Sequence, residues 1–304
     1  MTVKILGRLA QTIVTFLLLT VLVFLLARLT GDPAPLVLSA DATEEDFAFF
    51  RRQYGLDRNV FLQYLTFLSN LVNLDFGVSF RYRVPALDVV LSGIGPTLKL
   101  TGLSMAISTV VGVTLGTLAA VSRSRAVDFA INLFASVGQA VPSFWLGLMM
   151  IIMLAVTIPL FPSSGYGTAA HYVLPAITLA FFATSSIIRL TRTNVQEVLK
   201  SDFIYMERIL GLSERRIILR HALRNASLPI VTYIGLQFGL LLSGAIVTER
   251  VFSWPGLGQV IVSAILNRDY PVIQATVLVT AILFMLINLL VDIIVVFLDP
   301  RLRT

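Results

Sequence analysis

Cysteine is absent from all 304 residues, which excludes a disulfide framework, a thiol nucleophile and any cysteine-ligated metal. Histidine occurs only at positions 171 and 221, which fall on opposite sides of the membrane in the topology derived below, so the two cannot share a metal or a catalytic triad in one chain. No Gly-Lys pair occurs anywhere. A nucleotide-binding P-loop needs that pair so that backbone amides and a lysine can hold phosphates, so the chain carries no such ATPase. Charge is also scarce. Only 13% of residues are charged while 57% are hydrophobic, too little polar surface to cover a soluble globule, so the chain needs lipid as its solvent.

What is present are long runs without Asp, Glu, Lys or Arg, at 9–27, 100–122, 129–188, 225–248 and 270–291. Four of them match the roughly 20 residues that a helix needs to cross the hydrocarbon. The run 129–188 is too long for one crossing, and the turn-forming cluster Pro159-Leu-Phe-Pro-Ser-Ser-Gly-Tyr-Gly167 divides it in two. Six transmembrane helices are expected. Lys4 and Arg8 before an apolar run resemble the start of a signal peptide, but the run is too long and Ala27-Arg28-Leu29 is no small-residue cleavage site, so a retained helix is expected.

Six spans put both termini on one side. With the N-terminus cytoplasmic, the inner segments hold fourteen basic residues against seven acidic ones, and the outer segments nine against ten. This satisfies the positive-inside rule, so the net charge of +6 records orientation and not nucleic-acid binding. The expected organisation is a first helix over 1–30, an outer helical segment over 31–96, a five-helix core over 97–298 with a cytoplasmic loop at 191–228, and an inner tail at 299–304. In the outer segment Thr43 is expected to cap a helix that runs through Phe50 and Tyr54 to a stop at Gly55, and a second helix should follow from Val60 to Val72.

The loop between the fourth and fifth spans is basic and amphipathic. Gly211 should end one short helix, in which Phe203, Met206 and Leu210 form an apolar stripe. Ser213 should start another, with Arg216, Arg220 and Arg224 on one face and Ile218 and Ala222 on another, able to lie flat on the membrane. The arginines can rest among headgroup phosphates, but the apolar stripe outside the membrane is better explained by a protein partner.

Gly211-Leu-Ser-Glu-Arg-Arg216, His221-Ala-Leu-Arg-Asn225 and Leu228-Pro229 resemble the cytoplasmic coupling loop of inner-membrane permeases of ATP-binding-cassette importers, in the dipeptide, oligopeptide and nickel branch. The resemblance runs through Gly31-Asp-Pro33, Tyr54-Gly-Leu-Asp57, Leu74-Asp-Phe-Gly-Val-Ser79, Pro142-Ser-Phe-Trp-Leu-Gly147, Ser164-Gly-Tyr-Gly167, Leu174-Pro-Ala-Ile-Thr178, Phe252-Ser-Trp-Pro-Gly-Leu-Gly258, Arg268-Asp-Tyr-Pro271 and Asp299-Pro-Arg301, in family order. It implies an all-α, polytopic protein of the bacterial inner membrane with the type I importer fold. The implied partners are a homologous second permease, two ATPase subunits or one fused pair, an extracytoplasmic substrate-binding protein and the lipid bilayer. The chain itself would bind no cofactor, because ATP and Mg would sit on the ATPase subunits.

Carried onto this sequence, the docking set is Asp202, Phe203, Tyr205, Met206, Glu207, Leu210, Gly211, Leu212 and Arg216. Where the general loop motif begins Glu-Ala-Ala, this chain has Tyr205-Met-Glu207, and bulkier Glu207-Arg-Ile-Leu210 replaces the small residues common before the glycine. Gln139, Gln237, Ser243 and Asn288 are uncharged polar groups inside spans that either face an aqueous path or bond a neighbouring helix. Asp292 is the deepest charged residue, read as pairing with a neighbouring helix or facing the inner vestibule. Trp254, Pro255, Gly256 and Gly258 belong either to an outer gate or to an anchored hairpin between two spans. The implied cargo is a dipeptide or oligopeptide, with nickel chelates, glutathione or opine-like solutes as alternatives. The competing class, an ATP-independent channel or secondary transporter, usually places ionisable groups at mid-span, where this chain has few.

Overall fold

Capping residues, prolines and glycines mark where the helices begin and end. The computed structural model describes residues 2–29, 31–38 and 41–298; the Asp292 side chain, the Asp299-Pro-Arg301 landmark and the tail lie outside the described residues. Helices α1 (Thr2–Leu29), α2 (Ala34–Val37), α3 (Glu44–Gln53), α4 (Val60–Val72) and α5 (Ala86–Val121) come first. Then come α6 (Arg125–Ala140), α7 (Ser143–Ile151) with a wider π turn at Ile152–Thr157, α8 (Ala169–Leu199) and α9 (Asp202–Ile209). The chain ends with α10 (Glu214–Arg216), a second π turn (Ile217–Ala222), α11 (Leu223–Val251), α12 (Leu257–Leu266) and α13 (Tyr270–Leu298). No strand element occurs among the described residues.

The chain divides into two compact units, one of residues 1–96 and 255–285 and one of residues 97–254 and 286–304. In the first, Thr43 caps α3 through a reciprocal pair in which its hydroxyl accepts from the Asp46 amide and the Asp46 carboxylate accepts from the Thr43 amide. The Thr43 amide and hydroxyl together hold the Asp46 carboxyl below its usual range. Gly55 follows with a left-handed φ of 62°, ending the helix where the sequence places its stop. Phe76, Ala86, Val90, Leu257, Ala275 and Leu278 form this unit's core.

Two of the sequence landmarks meet there. The buried Asp269 carboxylate accepts from the Ser79 hydroxyl at 2.5 Å, the Phe80 amide at 3.1 Å and the Arg81 amide at 3.3 Å. Beside it the Tyr270 hydroxyl donates to the Gly31 carbonyl at 2.6 Å. Asp269→Ala removes the acceptor shared by these three donors and is expected to cost about 3 kcal/mol, the scale of hydrogen bonds to a charged group. Hydrogen exchange at the Phe80 and Arg81 amides is the measurement, and it should accelerate markedly in the variant.

The second unit packs α8 at its centre, with α6, α7 and α11 against it. The glycines of α5 allow a close approach to α8: a Cβ on Gly112 would stand 2.6 Å from the Ile187 side chain, and one on Gly116 would stand 2.7 Å from the Ile188 carbonyl. Packing is therefore the role of this glycine pair. Gly235 likewise leaves room for Val291, whose side chain would be 2.3 Å from a Cβ there.

Four single helices are long and apolar enough to cross a membrane: Ala86–Val121, Ala169–Leu199, Glu214–Val251 and Tyr270–Val291. A fifth candidate is the pair α6 and α7 with its π turn, bent by 103°. The turn cluster at Pro159–Gly167 does separate this pair from α8. The bend is the departure from expectation. By composition the stretch from 129 to the Pro159 cluster is one uninterrupted span, yet Pro142, with Val141 extended before it, breaks the helix because proline removes a donor and disfavours α geometry in its predecessor.

Candidate docking helix and central cavity

α9 is built to present one face and bury the other. Ser201 precedes it in extended geometry, Asp202 lies in its first turn and Arg208 in its last, the order that complements the helix dipole. Gly211, at a φ of 77°, closes it: its amide donates to the Arg208 carbonyl at 3.0 Å and the Leu212 amide donates to the Glu207 carbonyl at 3.2 Å, which is a Schellman stop. Ile204 is fully buried and anchors the inner face. Phe203, Tyr205, Met206 and Leu210 are exposed, Leu210 at 70%, so the stripe read from the sequence lies open.

Of the remaining residues read for docking, Asp202, Gly211 and Arg216 are exposed and Leu212 is half-buried. Glu207 differs. Its carboxylate turns inward and pairs with His221 Nδ1 at 2.8 Å, while Arg208 reaches Glu214 at 2.8 Å across the glycine bend. Two features are not apparent from the sequence. Ile209 joins the exposed apolar face, which the every-third-residue stripe left out. The helix expected to lie flat after Ser213 instead runs without interruption into the next span, from Glu214 to Val251. Ser213 stands at its start but makes no side-chain capping bond. Within it the π turn places Ile217 and Ala222, five residues apart, on the buried side, in place of the Ile218 and Ala222 face expected from α spacing. Arg216, Arg220 and Arg224 are exposed, as their spacing implies.

The α6–α7 bend opens a cavity of about 590 Å³ in the second unit, bounded by Gln139, Pro142, Thr178, Phe182, Gln237 and Gly244 among others, with no charged side chain in its wall. Gln139 and Gln237, read from the sequence as path candidates, thus meet at one cavity. Gln139 donates to the Ser186 hydroxyl at 3.3 Å and Gln237 to the Tyr233 hydroxyl at 3.2 Å. Ser243 and Asn288 do not line it: Ser243 is exposed and Asn288 half-buried. Below it, Asp128 and Arg192 form a two-pronged pair at 2.8 and 2.9 Å that ties α6 to α8. At Gly138, a Cβ would fall within 3.0 Å of the Ser185 Cβ, so α6 and α8 touch beside the cavity.

The residues read for an outer gate divide between the two units. Trp254 is fully buried in the second, edge-on to Tyr172 at 4.6 Å and to Tyr166 at 4.8 Å between ring centres. In the first, Pro255 is exposed, while Gly256 and Gly258 are buried. A Cβ on Gly93 would stand 3.0 Å from the Gly256 backbone. Gly256→Pro must move a φ of −106° toward about −65° in that crowded place. Uptake is expected to fall at least tenfold while insertion and assembly persist; unchanged uptake would remove the gating role.

Residues 1–101 match the family described as the N-terminal part of binding-protein-dependent transport system membrane components, and residues 112–304 match the binding-protein-dependent transport system inner membrane component. The chain is 40% identical over 297 residues to the glutathione transport system permease protein GsiC of Escherichia coli (strain K12), covering 97% of each. It is also 40% identical over 300 residues to the protein of that name in Salmonella choleraesuis, covering 98% of each. Among solved structures, an inward-facing form of the MetNI methionine ABC transporter superposes with a TM-score of 0.59 at 22% identity, over 69% of this chain and 96% of that one. An amino acid ABC transporter gives 0.51 at 16% identity, over 70% and 94%. Likeness at those identities establishes the fold, and the family matches with the GsiC relatives establish the rest: the chain belongs to the binding-protein-dependent inner-membrane components, as a permease subunit of an ATP-binding-cassette importer.

Proposed function

We propose that this chain forms half of a pore that takes up short peptides, glutathione included, with a second homologous permease completing the pore. Six spans fit this reading: α1, α5, the bent pair α6–α7, α8, the helix Glu214–Val251 and α13, with both termini cytoplasmic. Two ATPase subunits would dock on α9 and its counterpart in the second permease, and an extracytoplasmic binding protein would deliver the cargo.

The observation that carries the reading is the cavity wall. It offers two amides, hydroxyls and apolar side chains but no charge. Such a wall can pass a zwitterionic peptide of varied side chains without holding it tightly, leaving selection to the binding protein. The 40% identity to glutathione permeases over nearly the whole chain supports the same cargo class. Calorimetric titration of the cognate extracytoplasmic binding protein tests it. Dipeptides, oligopeptides or glutathione should bind with low-micromolar or tighter affinity, and exclusive binding of a nickel chelate or an opine would overturn the peptide assignment.

A further inference from the structure

Two side-chain pairs link α9 to the helix that follows it, and they are unequal. The Arg208–Glu214 pair lies in the open, with side chains 42% and 54% exposed, where ion pairs contribute little. The Glu207–His221 pair is sheltered, at 19% and 28%. A carboxylate can only accept, so Nδ1 of His221 carries the proton and donates in either charge state of the imidazole. The outer atoms of the pair, Glu207 Oε2 and His221 Nε2, are buried with no hydrogen-bond partner among the described residues. Neither side chain has a second tie to fall back on.

His221 also stands at a mechanically informative place. It lies in the π turn, whose Ile217 and Ala222 are both buried and which packs on α8 and α9. From that turn the helix continues unbroken to Gln237 at the cavity, roughly 24 Å further along its axis at about 1.5 Å per residue. A force on α9 therefore has a direct polar route into the helix that lines the cavity, through a turn whose wider bonding can readjust.

We propose that Glu207 and His221 are a positioning pair that transmits displacement of α9 into α11, so that ATP hydrolysis and opening of the cavity remain coupled. The inference rests on the permease reading above, in which α9 receives an ATPase subunit.

The test uses the complete transporter in proteoliposomes, with both permeases, the ATPase subunits and the binding protein, and reads peptide uptake per ATP hydrolysed. His221→Leu should lower that ratio about tenfold while hydrolysis continues, the scale of one lost hydrogen bond to a charged group. His221→Asn, whose amide N–H can stand in for Nδ1–H, should stay within about twofold of wild type. A ratio in His221→Leu equal to wild type, or equal losses in both variants, would overturn the proposal. Should His221→Leu fail to assemble, the pair Glu207→Cys and His221→Cys in this cysteine-free chain serves instead: a short bismaleimide should restore coupling, and no change on crosslinking would refute the role. A wild-type complex without ATP-dependent uptake would sink the permease reading itself, whereas coupled wild-type uptake matched by His221→Leu sinks only the pair.

Discussion

Leu210→Asp is expected to release the ATPase subunits proposed to dock on α9: affinity of the permease pair for them should fall about a hundredfold or more, roughly 3 kcal/mol. Leu210 is 70% exposed, so the substitution leaves the bundle's core untouched. Its cost arises on docking, when a carboxylate must lose water inside an apolar contact. Phe203, Tyr205, Met206 and Ile209 surround the same face, and aromatic and methionine side chains are the types enriched at interface centres. Biolayer interferometry of the permease pair in nanodiscs against purified ATPase measures the loss. Arg216→Ala in the same assay separates docking from lipid contact: a change below about twofold assigns that arginine to the headgroups. Undiminished binding by Leu210→Asp would show that the partner sits elsewhere.

Trp254→Ala is expected to destabilise the second unit by about 4 kcal/mol. In lipid the transfer of apolar surface counts for little, so the cost comes from lost ring contacts and the cavity left behind. Trp254 is fully buried with Tyr166 and Tyr172 packed on it, so truncation to alanine leaves a void beside both rings. Trp254→Phe keeps an aromatic edge and should cost about half as much. Thermal unfolding of the purified complex reads both. A Tm for Trp254→Ala within a degree of wild type would mean that the aromatic cluster carries no packing load.

The sequence made the outer helices and the docking helix legible because their boundaries are set locally. Thr43, Gly55 and Gly211 each act through bonds within a few residues, and the structure places α3, α4 and α9 where those residues imply. The bend at Pro142 was harder to see because the hydrophobic run continues through it, and apolar composition alone does not distinguish a straight helix from a broken one. The π turn at Ile217–Ala222 hid for a related reason: one extra residue per turn shifts the inward face, so counting by 3.6 selected Ile218 where Ile217 is buried. Glu207 was read as part of an outward surface. Its inward turn depends on His221, fourteen positions along the chain, and only the fold shows that the two side chains meet. Asp269 gave no sign in sequence of its bonds to Ser79, Phe80 and Arg81, since long-range pairing of two loops leaves no periodic trace.

This chain is expected to move its cargo only when ATP is hydrolysed on other subunits. Uptake of labelled peptide into proteoliposomes measures it most directly, with the purified chain alone and with the second permease, the ATPases and the binding protein added. The chain alone should show no uptake and the full set ATP-dependent uptake, abolished when hydrolysis is blocked. Uptake by the chain alone without ATP would contradict it.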